Sequence, residues 1–258
     1  MMHRRRFLAG IGVAAGAAGC LGDAGDADPN VVLPEPDRRF ESADVPYPAW
    51  GQRVPDVTLD APLAGRRIAV RDIETPSLLT FFYSNCRTVC PVLVGTLRNV
   101  QVHAIREGYG DEVAFLPITF DPGRDDAAAL RSYADRVNVD LEAGNWHFLR
   151  PDGPGAVDRV VRERFGVTVS RRAGMDGGTG NASLAAPDDA ADGNRSGTPS
   201  GASEEHANAS AADGGYMFVH TALTILANAD GYVERAYRTK SPDQERIVED
   251  LRRVREAR

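Results

Sequence analysis

Lysine is almost missing from this chain. Of 30 basic residues only Lys240 is a lysine, and 37 acidic residues bring the formal net charge to −7. The first nineteen residues hold three arginines and no acid, so a chain beginning at Cys20 carries 27 basic and 37 acidic groups, a net −10. An acidic chain without clustered Lys and Arg is a poor nucleic-acid binder, because that binding depends on neutralised phosphates. Cysteine is scarce too. There are three, Cys20, Cys86 and Cys90, an odd number in which each needs its own fate. The apolar stretch Ala9–Gly19 is too short for a bilayer, which takes ~20 residues. Residues 171–214, 44 in all, contain no Val, Ile, Phe, Tyr or Trp. Such a segment cannot bury enough apolar surface to offset its ordering entropy, and it reads as a disordered, low-complexity insertion.

What is present begins with a twin-arginine leader, His3-Arg4-Arg5-Arg6-Phe7-Leu8, and closes at Ala17-Ala18-Gly19-Cys20, which resembles a lipobox. The expectation is a Tat-type lipoprotein signal over 1–19, cleavage before Cys20 and lipidation of Cys20. The alternative is a plain signal peptide with an incidental cysteine. Residues 20–47, rich in Asp, Ala and Pro, read as a flexible tether, and 48–258 as the domain, exported and held at the outer face of the cytoplasmic membrane. The acid-rich, lysine-poor composition resembles that of haloarchaeal proteins; a GC-rich genome favouring Arg codons is the competing explanation. Three Asn-x-Ser sequons, at Asn181, Asn194 and Asn208, lie in the insertion.

Within the domain, Pro55–Leu59 and Arg67–Val70 alternate as strands about the turn Ala64-Gly65. Ser77–Tyr83 is a near-continuous apolar run, suited to a strand buried on both faces. Leu93, Leu97, Val100 and Ala104 carry helical spacing from Pro91 to about Glu107. A strand is expected over Val113–Phe120, with Pro117 marking an edge, bulge or early end. The turn Asp121-Pro122-Gly123-Arg124-Asp125, read as mainly structural, leads to a helix near 126–137. A short strand at Trp146–Leu149 and a helix over Ala156–Phe165 follow. After the insertion come a strand over Thr221–Ala227, a tight turn at Asn228–Gly231 and the partner strand Tyr232–Tyr237. The last helix opens on Ser241 as N-cap, Pro242 at the first position and Gln244 closing a capping box. Strand-helix alternation with a terminal hairpin implies a central mixed sheet flanked by helices, an α/β fold.

The chemistry lies in Ser84-Asn85-Cys86-Arg87-Thr88-Val89-Cys90-Pro91. A strand delivers Cys86 to a helix N-terminus, where partial positive charge favours thiolate over thiol. Thiolate attacks disulfides and also binds soft metals. Residues four apart share one helix face with Cβ atoms ~5–6 Å apart, so two sulfurs can converge on one ion. Closing a disulfide requires some adjustment.

These residues resemble the Sco/SenC family, thioredoxin-like copper chaperones of cytochrome oxidase assembly. The resemblance runs from about Pro55 to Arg258, outside the insertion. It rests on Pro55-Asp56-x-x-Leu59, Cys86-x-x-x-Cys90-Pro91, Asp121-Pro122-x-Arg124-Asp125, and His220-Thr221 ahead of the Asp230-Gly231 turn. It implies a copper ion, Cu(I) or Cu(II), held by Cys86, Cys90 and His220. It implies delivery to the dinuclear copper site of a haem–copper oxidase subunit, by a monomer tethered to the membrane. The rival is a thiol–disulfide oxidoreductase in which Cys86 attacks and Cys90 resolves, with His220 dispensable. Two departures stand out. Val219 occupies a position that is usually Asp in the family, which removes an acidic partner for the imidazole. Arg87-Thr88 replaces the frequent Pro-Asp, and Arg87 is expected to favour thiolate at Cys86.

Overall fold

The computed structural model describes residues 30–37, 40–173 and 216–257. Its centre is a mixed sheet of order β4-β3-β7-β8. Strand β3 (Ser77–Phe82) is buried at every residue, because it lies between β4 (Ala114–Thr119), parallel to it, and β7 (Thr224–Ala227), antiparallel. Helices cover both faces, which explains an apolar run without alternation. Successive β3 side chains face opposite sides. Phe82 stacks on Tyr133 of α2 (Ala127–Arg136) at 5.1 Å, while Phe81 meets Phe165 edge-on at 5.1 Å. β8 (Val233–Tyr237) completes the hairpin with β7. A separate pair, β1 (Thr58–Ala61) with β2 (Arg66–Ala69), turns about Ala64-Gly65 as expected, with β1 starting at Thr58 rather than Pro55.

Pro117 lies in β4, opposite Thr80, on the sheet's outer ladder. Toward 145–149 the ladder runs Phe115 N–H to Asn145 O, His147 N–H to Phe115 O, Leu149 N–H to Pro117 O, and Thr119 N–H to Leu149 O. The proline has no N–H to offer His147 O. The strand expected over Trp146–Leu149 is accordingly reduced to isolated bridges, Trp146 to Phe115 and Leu149 to Ile118.

Helix α1 (Val89–Arg106) follows the cysteine loop and buries Leu93, Leu97, Val100 and Ala104. α2 is capped by Asp126, whose carboxylate accepts from Ala129 N–H. The helix expected over Ala156–Phe165 begins earlier, as α3 (Pro154–Val157), and continues as a π-helical turn over Asp158–Arg164 that closes with Phe165 N–H on Val160 O. α4 (Gln244–Glu256) is capped by Asp243 rather than Ser241. The Asp243 carboxylate takes the Glu245 and Arg246 N–H groups, whereas Ser241 N–H is turned to Thr239 Oγ1. Among the described residues no helix is long and apolar enough to cross a membrane.

Two expectations change at the edges of the domain. The tether expected over 20–47 is docked where it is described. Leu33 is 2% exposed, and the buried Glu234 carboxylate accepts from Val32 and Leu33 N–H and from Asn228 Nδ2. Pro46 is pressed so close to Gly166 (φ +62°) that any Cβ there would lie 1.8 Å from Pro46 O. A row of backbone donors on a buried carboxylate fixes this segment more strongly than its polar composition suggests. The insertion, expected from Arg171, begins later. Arg171–Ala173 extend β5 (Val169–Ala173), which pairs antiparallel with β6 (Tyr216–His220) in a two-stranded ribbon outside the main sheet. The rest of the insertion lies outside the described residues. The strand expected from Thr221 starts at Thr224.

Candidate metal centre

β3 and β7 bring the candidate residues together. Thr224 at the start of β7 stands opposite Thr80, near the end of β3. The segment from β6 to β7 therefore arrives at the sheet end where β3 delivers Cys86. His220 is the last residue of β6, not the first of a strand as expected. Its Nε2 lies 3.4 Å from Cys90 Sγ, joining residues 130 apart in sequence.

Cys86 sits in a loop held from two sides. The buried Asp125 carboxylate accepts from Ser84 N–H (3.1 Å), from Ser84 Oγ and from Thr119 Oγ1. Arg136 donates to Ser84 O. The Asp-Pro-x-Arg-Asp turn is structural, as read, and what it builds is the cysteine loop. Burial raises the Asp125 pKa, although the bonds from Ser84 and Thr119 pull it down.

The N-terminus of α1 has no side-chain cap; Thr88 is the N-cap and makes no such bond. Cys86 Sγ takes that place and accepts Cys90 N–H at 3.4 Å. Its pKa falls well below the thiol range, first through the hydrogen bond with Cys90, against desolvation, and further through the Thr88 and Cys90 N–H groups. Orphan helix-end donors favour an anion here. Arg87, expected to add to this effect, is exposed and is not among its causes. Cys90 is displaced upward, first by burial and then by the hydrogen bond and charge of Cys86. Both cysteines are buried, Cys86 biased toward thiolate and Cys90 toward thiol, and both are free rather than disulfide-bonded.

His220 Nδ1 is 3.1 Å from Thr221 O. A carbonyl only accepts, so Nδ1 carries the proton and the Nε2 lone pair faces Cys90. The orienting partner expected to be missing, with Val219 in place of Asp, is supplied by this backbone carbonyl. Phe120 packs on the imidazole at 4.8 Å.

The other described histidines, His103 and His147, play no part in this cluster. His103 bonds Tyr109 OH through Nδ1 at 2.6 Å, and His147 has its pKa lowered by burial and by Arg66. Cys20, the sequons Asn181, Asn194 and Asn208, and residues 1–29 lie outside the described residues. Two tyrosines escaped the sequence reading. Tyr83 OH accepts Phe218 N–H at 3.4 Å, and Tyr216 OH donates to Asp121 at 2.7 Å. Both fasten the His220 ribbon to the cysteine end of the sheet. An aromatic at each end of an apolar run was the available signal, but it is indistinguishable from core packing.

Among the described residues no group of three His, Cys, Asp or Glu side chains is closed tightly enough to hold an ion as it stands. The arrangement is a hydrogen-bonded thiol, thiolate and imidazole. Two soft sulfurs and one borderline nitrogen are a donor set suited to copper or to thiol exchange.

Fold and site together define a thioredoxin-like α/β domain bearing a Cys-x-x-x-Cys pair with a histidine brought against it. Residues 64–182 match the SCO1/SenC family model, a span that contains both cysteines and the Asp121–Asp125 turn and ends before His220. Over that span the chain is similar to the SCO1/SenC family. It is 26% identical over 113 residues to the SCO1 protein homolog of Bacillus subtilis, a match covering 43% of this chain and 56% of that relative. Copper-bound ScoI of Bradyrhizobium japonicum superposes with a TM-score of 0.51 at 20% identity, covering 76% of this chain and 96% of that one. BsSco, a member of the Sco family of cytochrome c oxidase assembly proteins with a disulfide switch, gives 0.52 at 14% identity, covering 83% and 98%.

Proposed function

We propose that this chain is a copper metallochaperone, tethered to the outer face of the cytoplasmic membrane through lipidated Cys20. It would deliver its ion to the dinuclear copper site of a haem–copper oxidase subunit. The observation that carries the proposal is the 3.4 Å approach of His220 Nε2 to Cys90 Sγ, with Cys86 Sγ on the adjoining helix end. Copper is cargo here. Cys86 and Cys90 thiolates hold Cu(I); turning the His220 lone pair onto the same ion accommodates Cu(II) as well. The copper-bound relative and the oxidase-assembly role of another support the reading. The chain acts as a monomer, and its tether explains the leader and lipobox-like sequence. Cys20→Ser then releases it from membranes with copper binding intact.

The asymmetry of the cysteine pair favours a second reading, a thiol–disulfide oxidoreductase. The Cys86 thiolate attacks a partner disulfide and forms a mixed disulfide, and one partner thiolate leaves. Cys90, deprotonated, then displaces the second partner thiolate, so the partner is reduced and Cys86–Cys90 is oxidised. An oxidase fragment carrying the dinuclear copper site separates the two. A chaperone loads copper onto the reduced fragment, and His220→Ala cuts transfer. A reductase, free of copper, reduces the oxidised fragment equally well with and without His220. Absence of transfer from copper-loaded protein to the reduced fragment contradicts the chaperone.

A further inference from the structure

Two openings flank the cysteine pair. One, about 340 Å³, is lined in part by Cys86, Arg87 and Arg136. The other, about 530 Å³, is lined in part by His220, Val92, Val219 and Lys240. Together their walls carry three cations and no carboxylate. That is unexpected in a chain of 37 acids and 30 bases, and it places the single lysine at the mouth of the site. Some exposed arginines elsewhere are matched, as Arg67 is with Asp152 at 3.2 Å, Arg162 with Asp158 at 3.1 Å and Arg253 with Glu249 at 3.0 Å, while others such as Arg131 and Arg246 are not. Arg87, Arg136 and Lys240 are exposed and make no ion pair among the described residues. Arg136 instead lies 4.9 Å from the Tyr133 ring. Exposed apolar side chains accompany the cations: Val92 (41%) and Val219 (51%) line the larger opening, and Met217 (52%) lies two residues before Val219 on β6.

An apolar patch beside unneutralised charge of one sign has the anatomy of a protein interface. We infer that this face is a docking surface for a protein whose own metal- or thiol-bearing site is rimmed by Asp and Glu. The inference rests on the exchange role proposed above and adds the charge of the partner. The recessed position of His220 favours a protruding protein loop over a flat lipid surface. Unpaired cations at the mouth raise the encounter rate of an acidic partner while the rest of this acidic chain repels it, so encounter is oriented toward the site. The steering is salt-sensitive, because exposed charges are screened over ~8–10 Å at physiological ionic strength.

The test uses the full chain without metal and two fluorescein-labelled peptides. One carries four Glu around a Val-Met-Val centre with no cysteine; the other has Lys in place of Glu. At low salt the Glu peptide should bind at least ten-fold tighter than the Lys peptide, and the difference should collapse in 0.5 M NaCl. Arg87→Gln with Lys240→Gln should cut Glu-peptide binding about five-fold or more. Because no copper or thiol takes part, failure of the chaperone reading leaves these results standing. Equal binding of the two peptides, or an unchanged preference in the double variant, overturns the inference. So does binding of phosphatidylglycerol vesicles through the same two residues without peptide preference, which assigns the face to lipid. Binding that appears only after removal of 174–215, a segment with seven acids and one arginine, assigns it to the chain itself.

Discussion

The two antiparallel ribbons of this protein are built in opposite ways. β7–β8 lies in the central sheet, buried along nearly its whole length, and turns within Asn228–Tyr232. β5–β6 stands outside the sheet, with β6 alternating between partly buried and exposed, and 42 residues join its strands. The first holds the fold and carries no chemistry; the second carries His220. Cysteines on a rigid loop and histidine on a lightly fastened ribbon suit an ion that must be gripped and then released. The energy needed to open a segment scales with what it buries.

Truncation at the rigid ribbon should give the largest effect. Glu234→Ala orphans the Val32 and Leu33 N–H groups and takes one of the two acceptors of Asn228 Nδ2, which keeps Asn30 O. At roughly 1–3 kcal/mol for each buried polar group left unsatisfied, a loss of about 3 kcal/mol or more is expected in urea unfolding, with copper affinity unchanged in the folded fraction. Coupled loss of copper affinity would break the division between the ribbons. Asp125→Ala comes next, at about 2–3 kcal/mol, because three donors lose their acceptor. Here copper affinity should fall as well, since Ser84 anchors the Cys86 loop. An isothermal titration with full affinity would show that the loop needs no such anchor.

Phe218→Ala sharpens the contrast. Its ring contacts Tyr83, Phe120 and Tyr216 at 5.2–5.4 Å, yet it is only partly buried. The expected cost is about 1–2 kcal/mol, below that of a fully buried Phe. Cu(II) should weaken and Cu(I) should not, because only the imidazole is displaced. Smallest of all is replacement of 174–215 by a short Gly-Ser link, which should change stability by less than about 1 kcal/mol, since loop closure depends weakly on length. Extending the deletion to 171 removes ladder partners of Tyr216, Met217 and Phe218 and should cost measurably more.

What the sequence made legible follows from local physics. Ser77–Phe82 announced a doubly covered strand by its unbroken apolar character, and Cys86 at a helix start announced a thiolate site. The missed features depend on contacts distant in sequence. Glu234 holds Val32 across some 200 residues, and no local pattern in an Asp- and Pro-rich segment signals that. Thr221 O replaces the expected acid beside His220 with a backbone group, which side-chain identity cannot encode. Arg171–Ala173 have no apolar character of their own and are strand only because β6 pairs with them. Pro117 was noted as a disturbance, but which ladder it would interrupt depended on the side of β4 its nitrogen faced.

The central claim is that Cys86, Cys90 and His220 hold one copper ion. Parallel copper titrations of the reduced protein and its His220→Ala variant test it most directly, with Cu(I) followed by chelator competition and Cu(II) by thiolate-to-copper charge-transfer absorption. One equivalent should bind the parent in both states. The variant should keep Cu(I) within a few-fold, because two thiolates suffice, and lose Cu(II) affinity by about ten-fold or more, with a shifted charge-transfer band. A variant that binds both states like the parent, with the same absorption, would contradict the account and leave the dithiol to exchange chemistry alone.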